Sequence, residues 1–176
     1  MSGRALGALA AWLRLRLPPD ADLDHAALLM LAHELAEQPS LWRRHVRHDP
    51  GQRVYVQLHR DQHLDAWLIC WMDAQVTGLH DHDVSAGAVR VIDGRLAEDR
   101  VVLGQPTPDT TIYAPGEAFS FDPSRIHEVR HAGGPPATSL HLDAPPLWRM
   151  GFYEVGADGR LSRRAATYAE ELVAAG

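Results

Sequence analysis

Two periodicities divide the chain. Over residues 22–38, Leu28, Leu31 and Leu35 recur at the spacing of one helix face, with Asp22 or Asp24 available as a cap and Pro39 as a stop. Residues 41–48 read as a short second helix ending before Pro50, and its arginines form a solvated basic face. From Val54 the pattern shortens to brief runs rich in β-branched and aromatic side chains. These runs cover 54–58, 66–71, 84–92, 95–103, 110–113, 118–121, 126–130, 138–143 and 148–155, with Asp93-Gly94 and Pro115-Gly116 among the turn signals. Many short strands at regular spacing predict an all-β sandwich or barrel. A last helix is predicted over 164–174. The expected organisation is one domain over 1–176: a helical part (1–50), a β-barrel (51–156) and a C-terminal tail or helix (157–176).

Composition narrows the class. Of 176 residues, 45% are hydrophobic and 23% charged, enough to bury a core in water. A net charge of -6 argues against a nucleic-acid or membrane-surface partner, either of which needs a basic face. The apolar stretch 5–13 is interrupted by Arg14 and Arg16, with no small-residue cleavage site before Pro18-Pro19, so it is not read as an export signal. No run is long enough to span a membrane. The single cysteine, Cys70, excludes an intramolecular disulfide and fits a reducing, cytoplasmic setting.

The chemistry concentrates in Gly78-Leu79-His80-Asp81-His82-Asp83. Residues i and i+2 of a strand share a face, so His80 and His82 project together, as two metal ligands on one strand must. His127 follows well downstream at the start of another predicted strand. This pattern resembles the cupins, whose first motif sets a glycine before His-x-His, a glutamate after it and a closing glycine. The chain has Ala74, His80, His82, Gly87 and Gly94 at those places, so the glutamate ligand is missing. Three neutral imidazoles leave the full charge on a divalent metal. That charge favours an anionic ligand such as a thiolate, and on iron leaves open positions. The same three histidines also describe a catalytic zinc site.

Further motifs resemble the cysteine dioxygenase branch of the cupins, from about Tyr55 to Tyr153: Leu68-Ile69-Cys70-Trp71, His127, and Ser139-Leu140-His141-Leu142-Asp143-Ala144-Pro145-Pro146. The resemblance implies a double-stranded β-helix (jelly-roll) barrel holding one non-haem Fe(II) on His80, His82 and His127. It also implies an enzyme that adds O2 to a small thiol to give the sulfinate. The family's Ser, His, Tyr relay becomes Ser139, His141 and Asp143, with Asp143 expected to orient His141 or to face the substrate. Animal members cross-link that tyrosine to a cysteine at the place of Gly87, so no such crosslink forms here. The family's Tyr-x-Arg carboxylate site reads Tyr55-Val56-Gln57, resembling the type associated with 3-mercaptopropionate, and Arg60 is a second candidate for the substrate carboxylate. Cysteine and 3-mercaptopropionate are the expected substrates. A non-catalytic cupin that binds or senses a small molecule, or a different metal-dependent cupin enzyme, stays open.

Overall fold

The computed structural model describes residues 3–17, 23–105, 107–156 and 160–167. Three helices precede the strands: α1 (Gly3–Arg14), α2 (His25–Ala36) and the short α3 (Pro39–Trp42), which runs into a 3-10 turn at Arg43–His45. Asp24 caps α2, its side chain accepting from the Ala27 amide at 2.8 Å. Pro39 stands in the first turn of α3, where a missing N–H costs nothing. It therefore starts a helix as well as following one.

The strands are β1 (Val54–Arg60), β2 (Asp65–Trp71), β3 (His80–Asp81), β4 (Ala86–Asp93), β5 (Leu96–Arg100), β6 (Asp109–Tyr113), β7 (Ala118–Phe121), β8 (His127–His131), β9 (Ala137–Ala144), β10 (Arg149–Val155) and β11 (Leu161–Thr167). They form two antiparallel sheets, in the orders β1-β2-β9-β4-β7 and β11-β10-β3-β8-β5-β6. The all-β expectation holds, as two packed sheets. The predicted C-terminal helix does not hold where it is described: residues 164–167 are strand, paired with β10 from Arg149↔Thr167 to Val155↔Leu161. The remainder of that helix, 168–174, lies outside the described residues.

β2 shows how the layers are arranged. Its seven residues are all buried, so its sequence does not alternate. Ala66, Leu68 and Cys70 point outward into a core with Leu28, Leu31 and Leu35 of α2. Trp67, Ile69 and Trp71 point inward to Val89, Phe119, Phe121 and Val129, between the sheets. β9 follows the same division: Leu140 and Leu142 join the helix-side core, leaving Ser139, His141 and Asp143 on the inner face. A helix-covered sheet thus frees its other face to carry polar groups inside the molecule.

Candidate metal centre

β3 is only two residues long, yet it brings the histidines together. His80 pairs directly with His127 on β8, and Phe152 on β10 flanks the other side. The ring nitrogens of His80, His82 and His127 fall within 4.8 Å of one another, and all three side chains are buried. Nε2 of His80 lies 3.2 Å from Nε2 of His82, which lies 3.5 Å from Nε2 of His127.

Each outer nitrogen has a fixed partner. Nδ1 of His80 meets the Gly78 carbonyl at 2.9 Å, Nδ1 of His82 meets Asp143 Oδ1 at 2.7 Å, and Nδ1 of His127 meets Glu98 Oε1 at 2.9 Å. A carbonyl or carboxylate only accepts, so all three Nδ1 atoms carry the proton and all three Nε2 atoms present a lone pair. Three lone pairs converging in a buried site repel one another unless a cation sits between them. The donor set therefore fits a metal, held by the Nε2 atoms and oriented from behind. Protonation is not a substitute. Burial first, then neighbouring His82, pushes His80 down to about 3, and burial with His80 and His82 holds His127 well below the ordinary imidazole value.

Glu98 gives no local sign of this role in the sequence. It is fully buried on β5, one strand over from His127, and also accepts from Arg125 at 3.0 Å and Tyr113 at 3.3 Å. Phe121 walls the site. Its ring stands edge-on to His82 and His127, with centroids 4.7 and 4.6 Å away. A Cβ on Gly87 would lie 2.3 Å from that ring. The place of the usual glutamate ligand is therefore bare because an aromatic wall has filled the space. Gly94, the closing glycine of the motif, has φ +67°, and a Cβ there would meet the Ala137 backbone at 2.6 Å.

Beside the imidazoles is a cavity of about 80 Å³, walled mainly by apolar groups including Trp67, Ile69, Val129, Leu147 and Met150. Tyr55, His141 and Asp143 also line it. Ser139 and His141 are bonded as a chain: Trp71 Nε1 donates to Ser139 Oγ at 2.9 Å, and Oγ and His141 Nε2 are hydrogen-bonded at 2.8 Å. Burial, followed by His82 and Arg53, pushes His141 down to about 3, so it stays neutral. Asp143 lines the cavity, and its Oδ1 bonds to His82 rather than to His141.

Gln57 and Arg60 depart from expectation. Neither lines the cavity; both turn to Asp65, a fully buried carboxylate. Gln57 Nε2 donates to Oδ1 at 3.0 Å and Arg60 forms an ion pair with Oδ2, while its other nitrogen donates to the Leu147 carbonyl at 3.0 Å. The chain's own carboxylate thus occupies the donors expected for a substrate's. Burial pushes Asp65 up to about 6 against Arg60 and Gln57, with facing Asp143 adding to the rise. Asp81 is buried and clamps β10 and β11. It accepts from the Gly151 amide, the Tyr153 hydroxyl and both Nε and NH2 of Arg163. Burial raises it, but the bonds from Arg163, Tyr153 and the Asp83 amide outweigh this and hold it well below the usual carboxylate range.

The profile of the family described as cysteine dioxygenase type I matches residues 9–155, from α1 to the end of β10. The chain belongs to the cysteine dioxygenase type I family. Solved structures of other proteins share its fold. TT1209 from Thermus thermophilus is 20% identical with a TM-score of 0.52, the match covering 58% of this chain and 92% of that one. A Klebsiella pneumoniae protein described by its double-stranded β-helix domain is 16% identical with a TM-score of 0.51, covering 70% and 92%. BH2720 from Bacillus halodurans is 18% identical with a TM-score of 0.50, covering 74% and 85%. At these identities the likeness shows a cupin fold. No curated protein sequence matches the chain. No helix among the described residues is long and apolar enough to cross a membrane.

Proposed function

We propose that this member of the cysteine dioxygenase family is a mononuclear non-haem iron enzyme that converts a small thiol and O2 into a sulfinate. One observation carries the reading: three imidazole Nε2 atoms, each with its Nδ1 already bonded, converge at the wall of a small apolar cavity. His80, His82 and His127 would hold the iron. Bound iron would supply the electron transfer that lets O2 react with a thiolate, chemistry that no side chain here performs. The carboxylates of Asp143 and Glu98 stand behind two of the three ligands and raise their basicity. The apolar walls exclude water from the reacting sulfur, and the volume suits a thiol of few heavy atoms. His141, neutral and fixed by Ser139, faces whatever occupies the cavity, and Tyr55 forms part of its wall. The lone buried Cys70 supports a reducing setting such as the cytosol.

Anaerobically iron-loaded protein should consume O2 with at least one of cysteine, 3-mercaptopropionate, cysteamine or mercaptosuccinate, yielding one sulfinate per O2. Stoichiometric thiol binding without turnover would make the protein a sensor or carrier. Turnover of another substrate with zinc alone would move it to a different reaction class.

A further inference from the structure

Residues 145–148 carry the chain from β9 in one sheet to β10 in the other and belong to no strand themselves. Their two sides differ. Leu147 is buried and lines the cavity, whereas its neighbour Trp148 is 69% exposed. This strap is therefore one residue thick, with the cavity against one side and water against the other. A segment without a strand partner needs another tie if it is to hold a wall in place. Arg60, at the end of β1, supplies one. Its NH2 donates to the Leu147 carbonyl at 3.0 Å, and its guanidinium carbon lies 4.5 Å from the Trp148 ring centroid. Its NH1 is ion-paired with Asp65, a fully buried carboxylate that Gln57 also holds, at 3.0 Å. A planar guanidinium bonded through two nitrogens and stacked on a ring has little freedom left. The far end of the strap is tied by Arg149 to Asp83 at 2.9 Å, but that pair is open to water and correspondingly weak.

We infer that Leu147 limits the size of thiol the site accepts, and that Arg60 is the positioning residue that holds it there from outside the cavity. With its carbonyl bound to a guanidinium locked on a buried carboxylate, Leu147 cannot retreat with its backbone. A longer ligand then meets a fixed, branched side chain. Arg60, Gln57 and Asp65 thereby act on substrate choice without touching the substrate. The substrate class is a short-chain thiol, and each carbon added beyond the space in front of Leu147 costs affinity instead of adding to it. This inference rests on the thiol reading above and adds a size limit to it.

The test reads binding rather than turnover. Full-length protein is loaded with Co(II) under argon, titrated with thiol and followed by thiolate-to-cobalt absorption. The probes are 3-mercaptopropionate and 6-mercaptohexanoate, which share both end groups and differ by three methylenes. Leu147→Ala removes the same three carbons from the wall. The wild type should bind the shorter thiol about tenfold more tightly, although added methylenes by themselves favour burial. Leu147→Ala should tighten the longer thiol by about ten- to fifty-fold and change the shorter by less than about threefold. Arg60→Met combined with Asp65→Asn loosens the pin without leaving a bare buried carboxylate. It should shift the ratio the same way by about three- to tenfold, and Arg60→Lys should keep part of the wild-type ratio. If Leu147→Ala fails to fold, Leu147→Val carries the comparison with a smaller shift. A wild type that binds both thiols alike, or a Leu147 variant with an unchanged ratio, overturns the size limit. A lowered melting temperature with an unchanged ratio in the Arg60 variants makes Arg60 a stabilising contact alone and overturns its positioning role. If neither thiol gives a thiolate band in the wild type or in Leu147→Ala with cobalt bound, the thiol reading itself falls and the size limit with it. That outcome is distinct from proteins that bind both thiols and do not tell them apart.

Discussion

Asp143 and Glu98 each accept from the Nδ1 of a candidate metal ligand, so the carboxylate charge missing from the ligand set stands one bond further out. This changes what Asp143 should do. Asp143→Asn keeps an acceptor opposite His82 but removes the charge, so it should weaken iron binding by about 10- to 100-fold without altering the preference between cysteine and 3-mercaptopropionate. Anaerobic iron titration measures the first and kcat/KM ratios the second; a changed ratio with unchanged affinity would return Asp143 to the substrate. Replacing His80, His82 or His127 with Ala should remove most bound iron while leaving the circular-dichroism spectrum intact, because the core lies elsewhere. Two of these variants retaining full iron would refute the ligand set. Gly87→Ala tests the aromatic wall: forcing Phe121 aside should cost about 1–3 kcal/mol in denaturant unfolding. The histidines were legible because strand alternation is local and two of them are two residues apart. Glu98 was not, because only the β5–β8 register places it behind His127.

At the scale of elements, the pattern from Val54 onward located nearly every strand, since brief β-branched runs between turn residues have few other folds available. What failed was the chain end. Arg164-Ala165-Ala166 favours a helix by propensity, yet Gly151↔Ala165 and Phe152↔Arg164 pair it into the sheet. Asp81 supplies the tertiary reason, because its carboxylate binds β10 through Gly151 and Tyr153 and β11 through Arg163. The same residue lies between His80 and His82, so one short segment both presents ligands and fastens the hairpin beside them. Asp81→Ala would leave a backbone amide and a tyrosine hydroxyl without their acceptor, and should destabilise the protein by about 2–3 kcal/mol. Arg163→Ala should cost less, since that side chain is partly solvated and its pair is weakened by water. Thermal melts rank the two; a larger effect at Arg163 would mean that β11 docks by charge rather than through Asp81.

For the whole molecule, the inner polar face makes acid sensitivity a property of the fold. His80 and His141 sit near 3 when folded, against 6.5 when free, and His127 is also well below its ordinary value. Below pH 6.5 the unfolded chain therefore binds protons that the native site refuses. Stability present above 6.5 is lost as pH falls toward 3, by up to about 1.4 kcal/mol per pH unit for each imidazole. Asp65 acts in the opposite sense. Its folded value near 6 exceeds the free value of 3.8, so it contributes stability below 3.8 that is lost as pH rises through 6. Glu98, also raised by burial, shares that sign. Between pH 6 and 4 three imidazoles outweigh the two carboxyls, and Asp81, held low, adds to the loss only once the pH nears 3.8. The melting temperature of metal-free protein should therefore fall from pH 6.5 to 4. His141→Gln should make that fall shallower and Asp65→Asn should make it steeper, whatever each does to stability at pH 7. Comparing slopes rather than absolute values separates titration from lost contacts. Two variants running parallel to the wild type would show that acid acts on the molecule somewhere other than this buried face.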